Sequence, residues 1–213
     1  MIAKEPVSGR VKTRLCPPCS PAEAARLAEA ALVDTLAAAR ASAARQVVVA
    51  LDGRPGDWLP PGVRIVSQGS GSFDQRLAHA WRHMNGPAVQ IGMDTPQVTP
   101  ADLDDAFTSL ARPDTDAVLG LAEDGGWWLV GLQRPMPEAF FGVPTSRADT
   151  GARQRDRLRR LGLRVRMVGT RRDVDTIEDA DAVATAAPWT RFAATFQRLD
   201  VAARRLEPLG RAD

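Results

Sequence analysis

Of the 28 basic side chains in this chain only two are lysines, Lys4 and Lys12, and both lie between Ile2 and Leu15 alongside Arg10 and Arg14. An ammonium is a compact, strongly hydrated point charge and a guanidinium a planar fork, so the two are not interchangeable at a phosphate. Gly9 suits a tight turn within the segment. A glycine-containing loop between a strand and a helix can aim backbone N–H groups and cations at phosphate oxygens. The segment therefore predicts a site for a di- or triphosphate. It is not a Walker A loop, because G-x-x-x-x-G-K-[ST] is absent.

Three acidic positions complement it. Gly92-Met93-Asp94-Thr95-Pro96 places a carboxylate directly after an apolar run. A hard divalent cation that bridges phosphates needs one or two such carboxylates and leaves its other positions to water and ligand. Asp173-Val174-Asp175-Thr176 offers a second acidic strand end, and it also reads as a helix N-cap followed by an acidic first turn. In Glu123-Asp124-Gly125-Gly126-Trp127-Trp128 the double glycine reads either as backbone close to a ligand or as a β-turn between two strands. Strand alternation sends the two indoles to opposite faces, one into the core and one available for stacking on a sugar or base.

These residues need elements to hold them. Ile2-Ala3 is an apolar strand stub, and Ser20-Pro21-x-Glu23 starts a long Ala/Leu-rich helix. Short apolar runs at 47–51, 63–66, 88–92, 116–121 and 163–168 predict strands, and helices are predicted over 73–84, 99–110 and 150–161, with a short acidic one after Thr176. Trp127 to Leu132 is predicted to be antiparallel, because its link to the preceding strand is too short for a helical crossover. The stretch from Trp189 to Leu206 is predicted helical. Alternating strands and helices imply one α/β domain of GT-A or Rossmann type, residues 1–187, with a mostly parallel central sheet, flanking helices and an antiparallel strand; residues 188–213 form a helical tail. In such sheets ligands bind beyond the carboxyl ends of the strands. Lys4, Asp94, Asp124, Asp173 and Asp175 all fall there, along one edge of one sheet.

Composition narrows the classes. At 213 residues, 44% hydrophobic and 25% charged, the chain suits one globular domain with a full core. A net charge of +2 does not call for nucleic acid. No apolar run reaches the ~20 residues of a membrane span, and no signal-peptide core follows Met1, so the expected location is the cytoplasm. Cys16-Pro17-Pro18-Cys19 together with His79 and His83 makes a Cys2His2 zinc set arithmetically possible, but their separation of about 60 residues matches no zinc-finger spacing. The expectation there is two loop thiols and two helix histidines.

The order A-K-x-P-x-x-G-x-V-K-T-R-L, then G-x-D-x-P, then D-G-G with aromatics, then D-V-D-T resembles the bacterial GT-A-fold transferases labelled arsenosugar-biosynthesis glycosyltransferase-like, within the nucleotide-diphospho-sugar transferase superfamily. The resemblance runs from Ile2 to about Ala182. It implies a nucleotide held by its phosphates and a divalent metal, Mg²⁺ or Mn²⁺. Carried over, Lys4, Lys12 and Arg14 fit the phosphate loop, and the expected nucleotide and phosphate site adds Ala3, Gly9, Arg10, Thr13 and Gln68. Asp94, Asp173 and Asp175 hold the metal; Gly125, Gly126 and Trp127 bind substrate; Asp124 and Lys12 are catalytic. The chain departs from the pattern at Phe73-Asp74-Gln75-Arg76-Leu77, where L-G-E-R-L is usual, and at Val143 to Ser146, where a Trp is often seen. It also has only Met1 and Ile2 ahead of the Ala-Lys pair, so that either translation starts upstream or the first strand is short.

The reading that follows is a metal-dependent glycosyltransferase acting on a nucleotide sugar and a small-molecule acceptor. A nucleotidyltransferase that moves a nucleoside monophosphate from a triphosphate to a phosphorylated small molecule is the alternative. A nucleotide-binding member without efficient catalysis is the third. None of the three uses nucleic acid as a partner.

Overall fold

The computed structural model describes residues 1–199. The strands are β1 (Ile2–Lys4), β2 (Val48–Asp52), β3 (Arg64–Ser67), β4 (Ala88–Ile91), β5 (Ala117–Ala122), β6 (Trp127–Leu132) and β7 (Val165–Arg171). The helices are α1 (Pro21–Ala41), α2 (Phe73–Trp81), α3 (Pro100–Leu110), α4 (Thr150–Arg160), α5 (Ile177–Ala186) and α6 (Arg191–Arg198). The predicted helix over 189–206 is present as α6, and its remainder from 200 onward lies outside the described residues.

The α/β domain with its parallel strands, antiparallel β6 and flanking helices is as expected, but the strands do not form one continuous sheet. The strands form two sheets, a parallel one in the order β1-β2-β3 and a mixed one in the order β4-β6-β5-β7. The reason is local. β1 has three residues and its ladder is with β2, while beside β4 the Lys4 N–H donates to the Met93 thioether sulfur at 3.2 Å. β6 is antiparallel to both β4 and β5, as its short link requires, and β5 runs parallel to β7. Consequently β4, β5 and β7 share one direction, and the acids that follow them emerge at one end of the molecule.

Local chemistry sets the helix starts. Ser20–Glu23, Ser72–Gln75, Thr99–Asp102 and Thr176–Asp179 each close a reciprocal capping box, satisfying N–H groups that the first helical turn leaves orphaned. Helices cover both faces of the sheets. Leu27 and Ala31 of α1 pack with Val183 of α5 and Phe192 of α6. On the opposite face Trp81 stacks on Phe140 at 5.6 Å over Leu119 and Val130. Coverage on both sides explains the near-continuous apolar strands: Val118, Leu119, Leu129 and Val130 are all fully buried.

Candidate active site

The cationic loop is held by two apolar anchors four residues apart. Val11 packs against Ala28 and Met93, and Leu15 packs against Leu27 and Ile177. Between them Lys12 adopts the left-handed conformation, φ +47°, and caps a single turn of 3-10 helix over Thr13–Leu15. Left-handed backbone is strained for a residue with a Cβ, and such strain collects at ligand sites. The anchors thereby turn Lys12, Thr13 and Arg14 toward the carboxyl ends of the strands.

There the Lys12 ammonium sits 3.0 Å from Asp94 Oδ2 and 3.1 Å from Asp175 Oδ1. Its side chain is 10% exposed. Burial works against its charge, but the two carboxylates, by field and by hydrogen bond, more than offset that, and its pKa lies above the ordinary lysine value. Arg14 reaches the other oxygen of Asp175 at 3.4 Å from a largely solvated position. The segments carrying Asp94 and Asp175 are tied together by the Val174 N–H, which donates to the Asp94 carbonyl at 3.0 Å.

Asp173 is the most perturbed of these acids. Burial first, then the fields of Asp94 and Asp124, push its carboxyl up to about 8. Its Oδ1 is buried without a hydrogen-bond partner. Thr176 and Asp179 perform the α5 capping that the sequence also allowed to an aspartate, so Asp173 and Asp175 are not consumed as caps. Asp124 lies in the β5–β6 turn, where its Oδ1 accepts from the Gly126 N–H at 2.7 Å. Gly125 has φ +89°, and a Cβ there would stand 1.9 Å from the Ala148 carbonyl oxygen. The double glycine therefore serves close packing of this turn on the loop before α4.

A cleft of about 580 Å³ joins these parts. Ala3, Lys4, Arg10, Lys12, Thr13, Arg14, Gln68, Asp94, Asp124, Gly126, Trp127, Asp173 and Asp175 all line it, while Gly9 and Gly125 shape the backbone without entering the lining. Gln68 is buried, and its amide is already occupied. It donates to the Ala3 and Ala50 carbonyls at 2.6 and 3.1 Å and accepts from Arg76 Nη1 at 3.1 Å. Its placement is that of a brace between β1, β2 and α2. Both indoles are packed, because both sheet faces are covered. Trp128 donates to the Gly169 carbonyl at 2.8 Å, and Trp127, near Phe140, keeps partial exposure on the cleft wall.

The cleft also recruits residues not singled out from sequence. Asp52 ends β2 just as Asp94 follows β4, and Arg76 pairs with it at 3.3 Å from the second turn of α2. The position of Asp52 at a strand end was the available signal. Ser146, a non-glycine residue at φ +58°, and Arg147 also line the cleft, next to Ala148, whose carbonyl lies against Gly125 of the β5–β6 turn. Cys16 and Cys19 form no disulfide and pack in the cluster beneath α1 and α5, and the His79 and His83 rings meet edge to face at the end of α2.

No group of three or more His, Cys, Asp or Glu side chains among the described residues forms a ready metal cage. The donor chemistry nevertheless fits a hard cation shared with phosphates, which draws only one or two ligands from protein. Asp173 offers an orphaned, buried carboxylate oxygen in the field of Asp94 and Asp124, a concentration of negative charge that a divalent cation would relieve.

The fold is shared with α/β transferases. A protein of Desulfovibrio desulfuricans G20, provisionally assigned as a nucleotide-diphospho-sugar transferase, is 25% identical and superposes with a TM-score of 0.83 over 96% of each chain. A cytidylyltransferase from Leptospira borgpetersenii, 13% identical, reaches 0.58 over 99% of this chain and 97% of that one. The mannosyltransferase PcManGT from Pyrobaculum calidifontis, solved with GDP-Man and Mn²⁺, is 13% identical and reaches 0.54 over 98% of this chain and 75% of its own. The last two likenesses establish the fold alone. No curated protein matches the chain significantly by sequence. The chain belongs to the family described as "Uncharacterized protein conserved in bacteria (DUF2064)", matched over residues 24–147.

Proposed function

We propose that this protein is a glycosyltransferase that uses a nucleoside diphosphate sugar, with a divalent cation at the Asp94/Asp173 acids. The observation that carries the reading is the buried Lys12 ammonium lodged between Asp94 and Asp175 inside one cleft. Lys4, Arg10, Lys12 and Arg14 bind the diphosphate, and Lys12 and Arg14 stabilise negative charge as the nucleoside diphosphate leaves. Asp94 and Asp173 would hold a divalent cation, which when bound would supply further charge neutralisation to a phosphate leaving group. Asp124, with one oxygen engaged by the Gly126 N–H, uses the other to take the proton from an acceptor hydroxyl. The acceptor oxygen then bonds to the anomeric carbon as the bond from that carbon to the phosphate oxygen breaks. Trp127 and the Thr145–Ala148 wall flank the acceptor.

A second reading rests on the number of cations. Four basic side chains along one loop suit a triphosphate as well as a diphosphate, and in that case a phosphorylated substrate attacks the α-phosphate. A thermal-shift panel with Mn²⁺, comparing UDP-, GDP- and ADP-sugars with free nucleoside triphosphates, separates the two, because a bound ligand raises Tm by mass action. A nucleotide-sugar shift with release of nucleoside diphosphate is the expected result. Release of pyrophosphate from a triphosphate would replace this reading with the second. A ligand shift without turnover would leave a binding protein, and a flat panel would remove the nucleotide altogether.

A further inference from the structure

The cations of the cleft fall into groups with different tasks. Lys4, Arg10, Lys12 and Arg14 belong to the end of β1 and the loop after it, and Arg76 is committed to Asp52 and to the Gln68 side-chain oxygen. Among the described residues the other lining cation is Arg147, on the wall that also carries Thr145, Ser146 and Ala148.

That wall is fastened to the turn that presents Asp124. The Gly151 N–H at the start of α4 donates to the Gly125 carbonyl at 2.8 Å, and Gly125 lies so close to the Ala148 carbonyl that a Cβ would not fit. The Arg147 backbone is held through both of its polar groups. Its N–H donates to Thr150 Oγ1 at 3.2 Å, and its carbonyl accepts from the Thr150 N–H at 3.0 Å. Ser146, just before it, is turned to φ +58°, a conformation that costs energy in a residue with a Cβ and that collects at ligand sites. Fixed main chain leaves the Arg147 side chain as the adjustable part of this wall.

Its present partner can be exchanged. Arg147 Nε donates to Asp149 Oδ1 at 3.1 Å from a side chain that is 59% exposed, and so open a pair contributes little. Arg153 Nε holds the other oxygen of Asp149 at 2.7 Å, so Asp149 keeps a counter-ion when Arg147 leaves it. Two guanidiniums on one carboxylate also make the trio net positive. A guanidinium fork meets a carboxylate or phosphate through two parallel hydrogen bonds, a match that a neutral hydroxyl does not offer.

We propose that Arg147 is the specificity residue for an acceptor that carries an acidic group, a phosphate or a carboxylate, besides the hydroxyl that reacts. The inference deepens the glycosyltransferase reading and rests on it. The acceptor hydroxyl faces Asp124 while its acidic group replaces Asp149 on the Arg147 guanidinium.

The test is titration calorimetry on the full chain with two matched sets: glycerol, glycerate and glycerol 3-phosphate, then glucose, glucuronate and glucose 6-phosphate. Inorganic pyrophosphate, titrated separately, reports on the loop of Lys12 and Arg14. An acidic member of a set is expected to bind about tenfold or more tightly than its neutral partner, the size of one charged hydrogen-bonded pair. Arg147→Gln should erase that preference and Arg147→Lys should keep part of it. Arg14→Gln should weaken pyrophosphate and leave the preference intact. Which acid binds better, glycerate or its phosphate counterpart, tells carboxylate from phosphate. Equal binding across both sets, or a preference that survives Arg147→Gln, overturns the proposal. So does a preference lost in Arg14→Gln, since the anion would then sit in the phosphate loop. Pyrophosphate that fails to bind the parent chain would instead remove the nucleotide reading, and the inference with it.

Discussion

The two ends of the strands differ in what their unsatisfied groups are. At the carboxyl ends the cleft holds opposed charges, Lys12 among Asp94, Asp173 and Asp175, with a leftover acceptor on Asp173 and left-handed backbone at Lys12 and Ser146. At the amino ends a second space of about 730 Å³ has Trp81, Leu103 and Phe107 in its walls, with the unpartnered nitrogens Trp81 Nε1, His83 Nε2 and Gln90 Nε2. One end concentrates opposed charges, the other buries neutral polar groups among apolar side chains. Strands deliver this asymmetry because loops at one end can carry charge while the other end remains covered by helices.

The sharpest way to break the comparison is Lys12→Met. With the ammonium gone, Asp94 and Asp175 lose the cation that now neutralises them. Phosphate binding should weaken by roughly 100-fold, while Mn²⁺ alone should bind roughly tenfold tighter, each factor of ten corresponding to about 1.4 kcal/mol. Titration calorimetry with Mn²⁺ alone and with nucleotide reads both; unchanged Mn²⁺ affinity would show that Lys12 does not stand in the cation's place. The next largest effect is on folding. Gly125→Ala drives a Cβ into the Ala148 carbonyl at a positive φ and should cost about 3 kcal/mol or more in urea unfolding. A loss below 1 kcal/mol would mean that the β5–β6 turn is not locked against the loop before α4.

A pH series sharpens the cleft side. Asp173 binds its proton more tightly folded, near 8, than unfolded, near its ordinary 3.8. Its contribution to stability is therefore full below about 4 and is lost as pH rises to about 8. Asp173→Asn should gain Tm relative to the parent as pH rises from 5 to 9, and a difference independent of pH would refute the burial argument. The smallest effect belongs to a surface pair of the same chemical type. Arg164 grips Asp116 at 2.7 Å and holds its carboxyl at about 2, yet the Arg164 side chain is 56% exposed. Solvent screening limits such a pair, so Arg164→Met should leave the urea-unfolding midpoint almost unchanged. A clear drop would show that charge in this protein matters wherever it lies, and the contrast between the ends would blur.

Much of the cleft was readable because charge on a loop beside a strand end has few structural uses. Lys4, Lys12, Asp94 and Asp175 were visible on that ground, and all line the cleft. Gln68 was not readable in its actual setting, since its contacts with Ala3, Ala50 and Arg76 depend on how α2 sits on β1 and β2. Arg76 and Asp52 were passed over for the same reason: each looks like an ordinary surface charge until they meet. The break between the two sheets was equally hidden, because apolar runs reveal strands but not which strands share hydrogen bonds.

The sequence alone determined the types and order of the elements, the helix starts at Ser20, Thr99 and Thr176, and the isolation of both ammonium groups in one loop. These follow from periodicity and capping, which act over a few residues. It took the tertiary structure to bring Lys12 to Asp175, 163 positions away, to bury Asp173 beside Asp94 and Asp124, and to open a second space beside β4. Those relations depend on strand register and on which faces the helices cover, and no local pattern encodes either.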